Sequence, residues 1–210
     1  MREARFVTTG TVAWVLVFLL VLGWSAVGPH DRLTWWLEVA PALLGFVALV
    51  WTRKRFPLTT LVYSLILVHA VILIVGGHYT YAEVPLGDWV RDWLGSERND
   101  YDKLGHMAQG FVPAMIAREL LLRLQVLQRR AWLTFIVICV CLTISAFYEL
   151  LEWWAALLSG EGATAFLGTQ GYIWDTQSDM FWALVGAAAA LLILSRLHDR
   201  QLKALAQGEK

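Results

Sequence analysis

The chain has 210 residues, 58% of them hydrophobic and only 16% charged, and its seventeen basic and seventeen acidic side chains cancel. A zero balance argues against nucleic acid as a partner, and average soluble domains carry roughly 25% charged residues. The apolar residues come in long blocks, so their excess is membrane-spanning surface and not a large soluble core.

Residues 1–6 are short and basic, and 7–27 form the first apolar block. A charged start before an apolar run also describes a secretory signal. This run is long, however, and a second apolar block follows at once, which points to a retained helix. Residues 28–32, Gly-Pro-His-Asp-Arg, make a turn. The second block, 35–51, is interrupted by Glu38 and Pro41. A basic loop at 52–55 leads to the third block, 58–75, which Gly76-Gly77 is expected to end. The segment 78–100 is the longest polar stretch. Its Trp89 and Trp93, four apart beside Val90 and Leu94, predict a short helix lying on the outer membrane surface. The fourth block, 104–124, overlaps the stretch Tyr101 to Arg123, which reads as a membrane helix. The fifth is 132–154. A glycine-rich loop is expected over 155–176, then a sixth block at 178–197 and a short polar tail from His198. No internal repeat and no soluble domain stand out. The expected fold is all-α: one integral membrane domain over 1–210, a polytopic bundle of six transmembrane helices. Many of the twelve tryptophans fall at block ends, as in interfacial aromatic belts. Cys139 and Cys141 are two apart in an apolar run, point in different directions on a helix, and read as small hydrophobic residues.

Six spans put both termini on one side. Twelve of the seventeen Lys and Arg fall on that side; Arg32, Arg91, Arg98 and Lys103 fall on the other, and Arg118 lies within a helix. The positive-inside rule then makes both termini cytoplasmic.

On this map three distant segments deliver polar groups to one outer face. Asp102 and His106 open the fourth helix and share a face at i, i+4, which Gln109 and Pro113 continue inward. Glu149 and Glu152, i and i+3, are expected to close the fifth helix. Asp175 and Asp179 flank the start of the sixth, with Gln177 between. Either aspartate alone could be a helix cap, and His106 alone a hydrogen-bonded interfacial histidine. The two glutamates resist that reading: at a helix C-terminus the dipole opposes them and they repel each other, so a dry site needs a cation or a shared proton. Arg118 lies about 18 Å along the helix from His106, too deep to neutralise them, and is expected to snorkel or to pair with Glu119. His69, on an apolar run, reads as a helix-packing hydrogen bonder.

Intramembrane charge is a functional signal, and inward carboxylates with histidine on neighbouring helices are how bundle-core metal sites are made. The expected ligands are His106, Glu149, Glu152 and Asp179, with Asp102 or Asp175 as catalytic base or outer support. An oxygen-rich set with one nitrogen suits zinc, manganese, iron or magnesium, and excludes copper and iron–sulfur chemistry. Gln109, Tyr148, Gln170, Tyr172 and Gln177 are expected to line the substrate path. Gly168-Thr169-Gln170-Gly171 allows a tight turn beside the cluster, but lacks the Lys-Ser/Thr of a phosphate loop.

Two stretches, YDKLGHMAQGFVPAMIAREL and SAFYELLEWWAALLSGEGATAFLGTQGYIWDTQSDM, resemble the YjdF-type bacterial inner-membrane proteins, a family defined by a domain of unknown function. The resemblance covers most of the chain and implies a multi-pass inner-membrane protein. It carries over no catalytic residue. A shorter similarity, on Asp102-Lys103 and His106, is to VanZ-like membrane proteins and points to the cell envelope.

The leading expectation is therefore a metal-dependent hydrolase or transferase acting at the outer face on a lipid or envelope metabolite, with membrane lipids as its surroundings. A proton- or ion-coupled transporter is an alternative, weakened by a cluster at the membrane edge and by the lack of an inverted repeat. A structural partner protein, held together by the cluster, is a third.

Overall fold

The computed structural model describes residues 8–127, 129–159 and 170–208. The expected glycines at 160, 162 and 168, and Thr169, lie outside these residues. Seven α-helices run through the described residues: α1 (Thr9–Ser25), α2 (Arg32–Thr52), α3 (Thr60–Tyr79), α4 (Pro85–Leu94), α5 (Tyr101–Arg123), α6 (Leu133–Ser159) and α7 (Asp175–Ala206). No strand occurs among them. α2, α3, the segment Arg130–Leu158 and α7 are long and apolar enough to cross a membrane; α1 is apolar but shorter.

α5 is the centre of the bundle, in contact with α3, α6 and α7. It buries Asp102, His106, Gln109, Arg118 and Glu119 as well as its small residues. Its crossing with α7 is made by small residues. A Cβ on Gly110 would collide with the Ala183 carbonyl of α7, and one on Gly186 with the Met107 carbonyl of α5. Ala183, Ala187 and Ala190 continue the α7 stripe, fully buried, against Ala114 of α5. Small residues let helix backbones approach closely where lipid offers no hydrophobic drive to pack.

Several ends differ from the sequence expectation. α3 runs through Gly76 and Gly77 instead of stopping there. Both glycines sit at close approaches: Gly76 faces the Tyr81 ring, and Gly77 faces Glu38 and Val39 of α2. Packing thus explains them, where an end signal was expected. α6 continues to Ser159, so Glu149 and Glu152 stand inside the helix and not at its C-terminus; the unfavourable-dipole argument for them falls. α7 starts at Asp175 and continues to Ala206, so Asp175 and Thr176 belong to its first turn and most of the expected tail is helical. His198 on that extension is fully buried, which ties it to the bundle.

α4 is the short helix expected on the polar stretch. It starts on Pro85, ends on the left-handed Gly95 (φ 67°), and exposes Leu86, Trp89, Trp93 and Leu94. Asn99 joins it to α5: its amide donates to the Val84 carbonyl and to Asp88, each at 3.0 Å, and its side-chain oxygen accepts from the Tyr101 N–H at 3.1 Å. Between α3 and the 3₁₀ turn Tyr81–Glu83, Thr80 has φ 62° and ψ 144°. That conformation is costly for a β-branched residue. It is the bend at which the chain turns back so that Tyr81 packs against Gly76 and Gly105.

Candidate metal centre

His106 is the hub of the polar cluster. It is buried on the second turn of α5, and four carboxylates surround it. On the Nε2 side lie Asp102 Oδ1 at 3.3 Å and Asp179 Oδ2 at 3.9 Å. On the Nδ1 side lie Gln109 Oε1 at 3.2 Å and Glu149 Oε1 at 3.9 Å. The ligand atoms of Asp102, His106 and Asp179 all fall within 4.8 Å of one another, and so do those of His106, Glu149 and Glu152. Helix spacing gives this its order. Asp102 and Gln109 stand one turn either side of His106 on one face of α5. The close Gly110–Gly186 crossing brings Asp179 of α7 onto the same ring, and α6 supplies the two glutamates.

The hydrogen-bond pattern divides the imidazole. The Gln109 side-chain oxygen can only accept, so Nδ1 carries the ring proton and donates to it. Nε2 faces the carboxylates of Asp102 and Asp179. A metal-binding histidine commonly has its other ring nitrogen held by an acceptor, the position Gln109 occupies here. The carboxylates are left unpaid by the protein: Glu149 Oε1 and Asp179 Oδ1 are buried with no hydrogen-bond partner among the described residues, in side chains that are 8% and 3% exposed by residue. Buried polar atoms of this kind are rare in native structures and call for a missing partner.

Asp102 and His106 also face a cavity of about 130 Å³ that runs along α5 between α2, α3 and α6. Glu152, Tyr148 and Gln109 share its wall with two residues that the sequence reading did not place at the site, Glu38 of α2 and Tyr81. Tyr148 donates to Glu38 Oε2 at 3.3 Å. Burial, and then the Glu38 charge, push the Tyr81 phenol well above its ordinary value, so it keeps its proton. Pro41 and Pro113 line the same cavity. Each lacks an N–H and so frees a carbonyl one turn earlier, that of Leu37 and that of Gln109. Glu38 was visible as a single carboxylate inside an apolar helix, itself an expensive placement; Tyr81 carried no signal.

The remaining expected residues sit at the rim and do not line this cavity. Asp175 pairs with Arg98 at 2.8 Å. Gln170 exchanges two hydrogen bonds with the Asn99 backbone, at 3.1 and 2.8 Å. Tyr172 lies under the Arg98 guanidinium, 5.1 Å from its ring centre. Gln177 is exposed. Together Arg98, Gln170 and Tyr172 tie the lead-in to α7 onto the lead-in to α5, so the rim holds the two helix starts together.

A second buried cluster occupies the far end of α5. Glu119, fully buried, accepts from Thr59 N–H (3.0 Å), Thr59 Oγ1 (2.7 Å), Arg123 (2.8 Å) and His198 Nε2 (2.9 Å). Arg118 does not pair with Glu119: it donates to His198 Nδ1 at 2.9 Å and to Asp199 at 2.7 Å. His198 on the α7 extension reaches both groups, which is why the helical tail decides the pairing.

The family follows from the whole chain. The model of a family described as "Predicted membrane protein (DUF2238)" matches residues 10–200. The chain belongs to the DUF2238 family. It is 54% identical over 188 residues to the Inner membrane protein YjdF of Escherichia coli strain K12, a match covering 90% of each chain. No solved structure matches it. The resemblance noted from the two motif blocks is thereby established, and with it a bacterial inner-membrane protein family.

Proposed function

We propose that this DUF2238 protein is a six-span inner-membrane protein with both termini cytoplasmic, and that His106 anchors a divalent-metal site at its outer face that performs hydrolysis or group transfer on a lipid or envelope metabolite. The observation that carries this reading is the pair of buried, unpartnered carboxylate oxygens of Glu149 and Asp179 beside one imidazole, whose Nε2 faces Asp102 and Asp179. Repulsion among Asp102, Asp179, Glu149 and Glu152 is relieved when a cation sits among them.

The donor set assigns the roles. His106 Nε2, Asp102 and Asp179 form an oxygen-rich ligand group fit for zinc, manganese, iron or magnesium. Glu149 and Glu152 form a second carboxylate pair with His106, suited to a second ion or to removing a proton from an activated water. Asp175, held by Arg98, orients the α7 start. The polar cavity offers the reacting group a place beside Asp102, His106 and Glu152.

Metal analysis of the purified protein after dialysis against manganese or zinc tests the reading. Wild type is expected to hold about one to two ions per chain, and His106→Ala to lose them. A metal-free wild type whose unfolding is unchanged by chelator overturns it. Labelling of single cysteines placed at Ser96 and at Gly208 from outside intact cells tests the orientation: only the first is expected to react.

A further inference from the structure

A second cavity, of about 170 Å³, adjoins the polar one, and the two share Pro41, Leu73 and His69 as a common wall. Apart from His69 its lining is apolar in character, with Phe18, Ala42, Phe46, Ile66, Val112 and Ile116. Trp14 also lines it, and its indole N–H is already bonded to the Tyr63 carbonyl at 2.8 Å. The Trp14, Phe18 and Phe46 rings stack nearly parallel on one side of it, with interplanar angles of 9–11°. Val112 and Ile116 lie six and ten residues beyond His106 on α5, about 9 and 15 Å further along it. The chamber therefore begins at the polar cavity and runs toward the bundle middle.

We infer that the substrate of the proposed metal site is a single-chain amphiphile, with its headgroup in the polar cavity and its hydrocarbon chain in this chamber. The inference rests on the metal-site reading for the headgroup end alone. Its apolar lining offers water no polar partners, and an engineered cavity of about 150 Å³ in another protein takes one benzene. A void of about 170 Å³ thus holds a stretch of one chain and not of two. The cavity is partly open at the bundle surface and not sealed, which gives a chain a way in. His69, at the junction, can hydrogen-bond the first polar group of the chain, an ester or a hydroxyl. A free phosphate or a water-soluble metabolite would leave the chamber unused.

Gly45 provides the test. It lines the chamber, and a Cβ there would meet nothing within 4 Å, so a larger side chain grows into the void. The probe is a lysophosphatidylglycerol with a photoreactive diazirine on its chain, added to protein in phosphatidylethanolamine–phosphatidylglycerol vesicles. Labelled peptides are mapped by mass spectrometry and metal content is measured on the same samples. Wild type is expected to be labelled at Phe46, Ile66 or Val112. Gly45→Phe should cut that labelling at least tenfold with metal content unchanged, and Ile66→Trp, which narrows the chamber from α3, should do the same. Labelling confined to the exposed Leu44 and Val47, or undiminished in both variants, overturns the chamber assignment. A wild type labelled in the chamber but free of metal overturns the site reading instead.

Discussion

Neutralising one acid of the cluster separates a metal site from a structural one, because the two predict opposite signs. Asp102 and Asp179 present carboxylate oxygens within 4.8 Å of each other. At an effective dielectric of about 20, two full charges at that separation repel by about 3.5 kcal/mol. Proton sharing and solvent reduce this, so Asp179→Asn, which removes one charge and keeps the shape, should stabilise the metal-free protein by about 1–3 kcal/mol. With ion present the order reverses. A ligand at a hundredfold excess over its Kd adds about 2.7 kcal/mol to the folded state, and the variant, short of one anionic ligand, should gain much less. The assay is reversible unfolding in mild detergent, with chelator and with manganese, on wild type and Asp179→Asn. If the substitution destabilises the chelated protein and manganese shifts neither, Asp179 is a strut holding α7 to α5 and the metal reading is refuted.

Glu119→Gln should cost about 3–5 kcal/mol, the usual penalty for breaking a buried charge network: Thr59, Arg123 and His198 all donate to the carboxylate, and an amide NH₂ must face at least one of those donors. Thermal unfolding in detergent reads it, and a loss under about 1 kcal/mol would contradict the network. Gly186→Val places side-chain atoms on the Met107 carbonyl, should cost about 1–3 kcal/mol, and should weaken manganese binding as α7 moves off α5; Gly23→Val, with open space at its Cβ, is the control that should do neither. Asp31 accepts from the Thr34 N–H at 2.7 Å as the N-cap of α2, and that bond lowers its carboxyl from the ordinary 3.8. Its folded value is the lower one, so its contribution is whole above that range and disappears as the pH falls through the folded value. Asp31→Ala should therefore cost about 1 kcal/mol near neutral pH and less in strong acid, where only a neutral cap remains; a cost that does not shrink as the pH falls would contradict the charge-assisted bond.

The sequence carried the site's members further than its shape. Asp102, His106, Glu149 and Asp179 could be grouped because each is expensive in an apolar helix and chain order sends them to one end. Glu38 belongs by the same rule, but it stands alone on its helix, and only the pairing of α2 with α3 brings it to the cavity. Gly76 and Gly77 looked like a helix end because a glycine pair serves both as terminator and as contact point, and Tyr81, which decides the matter, carries no hydropathy signal. Arg118 and Glu119 are neighbours in sequence, so local pairing was the natural reading. Adjacent residues on a helix point about 100° apart, and His198, placed in an apparent tail, is the group that faces both.

The two polar clusters on α5 share a helix and a degree of burial, and they differ in a way that bears on function. At the far end Arg118 and Arg123 balance Glu119 and Asp199. His198 must accept at Nδ1 from Arg118, which has no acceptor to offer, so Nε2 carries the proton to Glu119 and the imidazole is neutral. Charge sums to zero there, and the carboxylate of Glu119 is bonded at both oxygens. That is the pattern of a network whose work is to hold α3, α5 and α7 together. At the near end Asp102, Asp179, Glu149 and Glu152 surround a single imidazole. Among the described residues the buried oxygens of Glu149 and Asp179 lack partners, and Arg98 reaches Asp175 through one nitrogen and leaves two buried ones without a hydrogen bond. Structure alone has no use for that imbalance, since replacing any one acid by its amide would relieve it. That contrast between the two ends of α5 is what the proposed cation would answer.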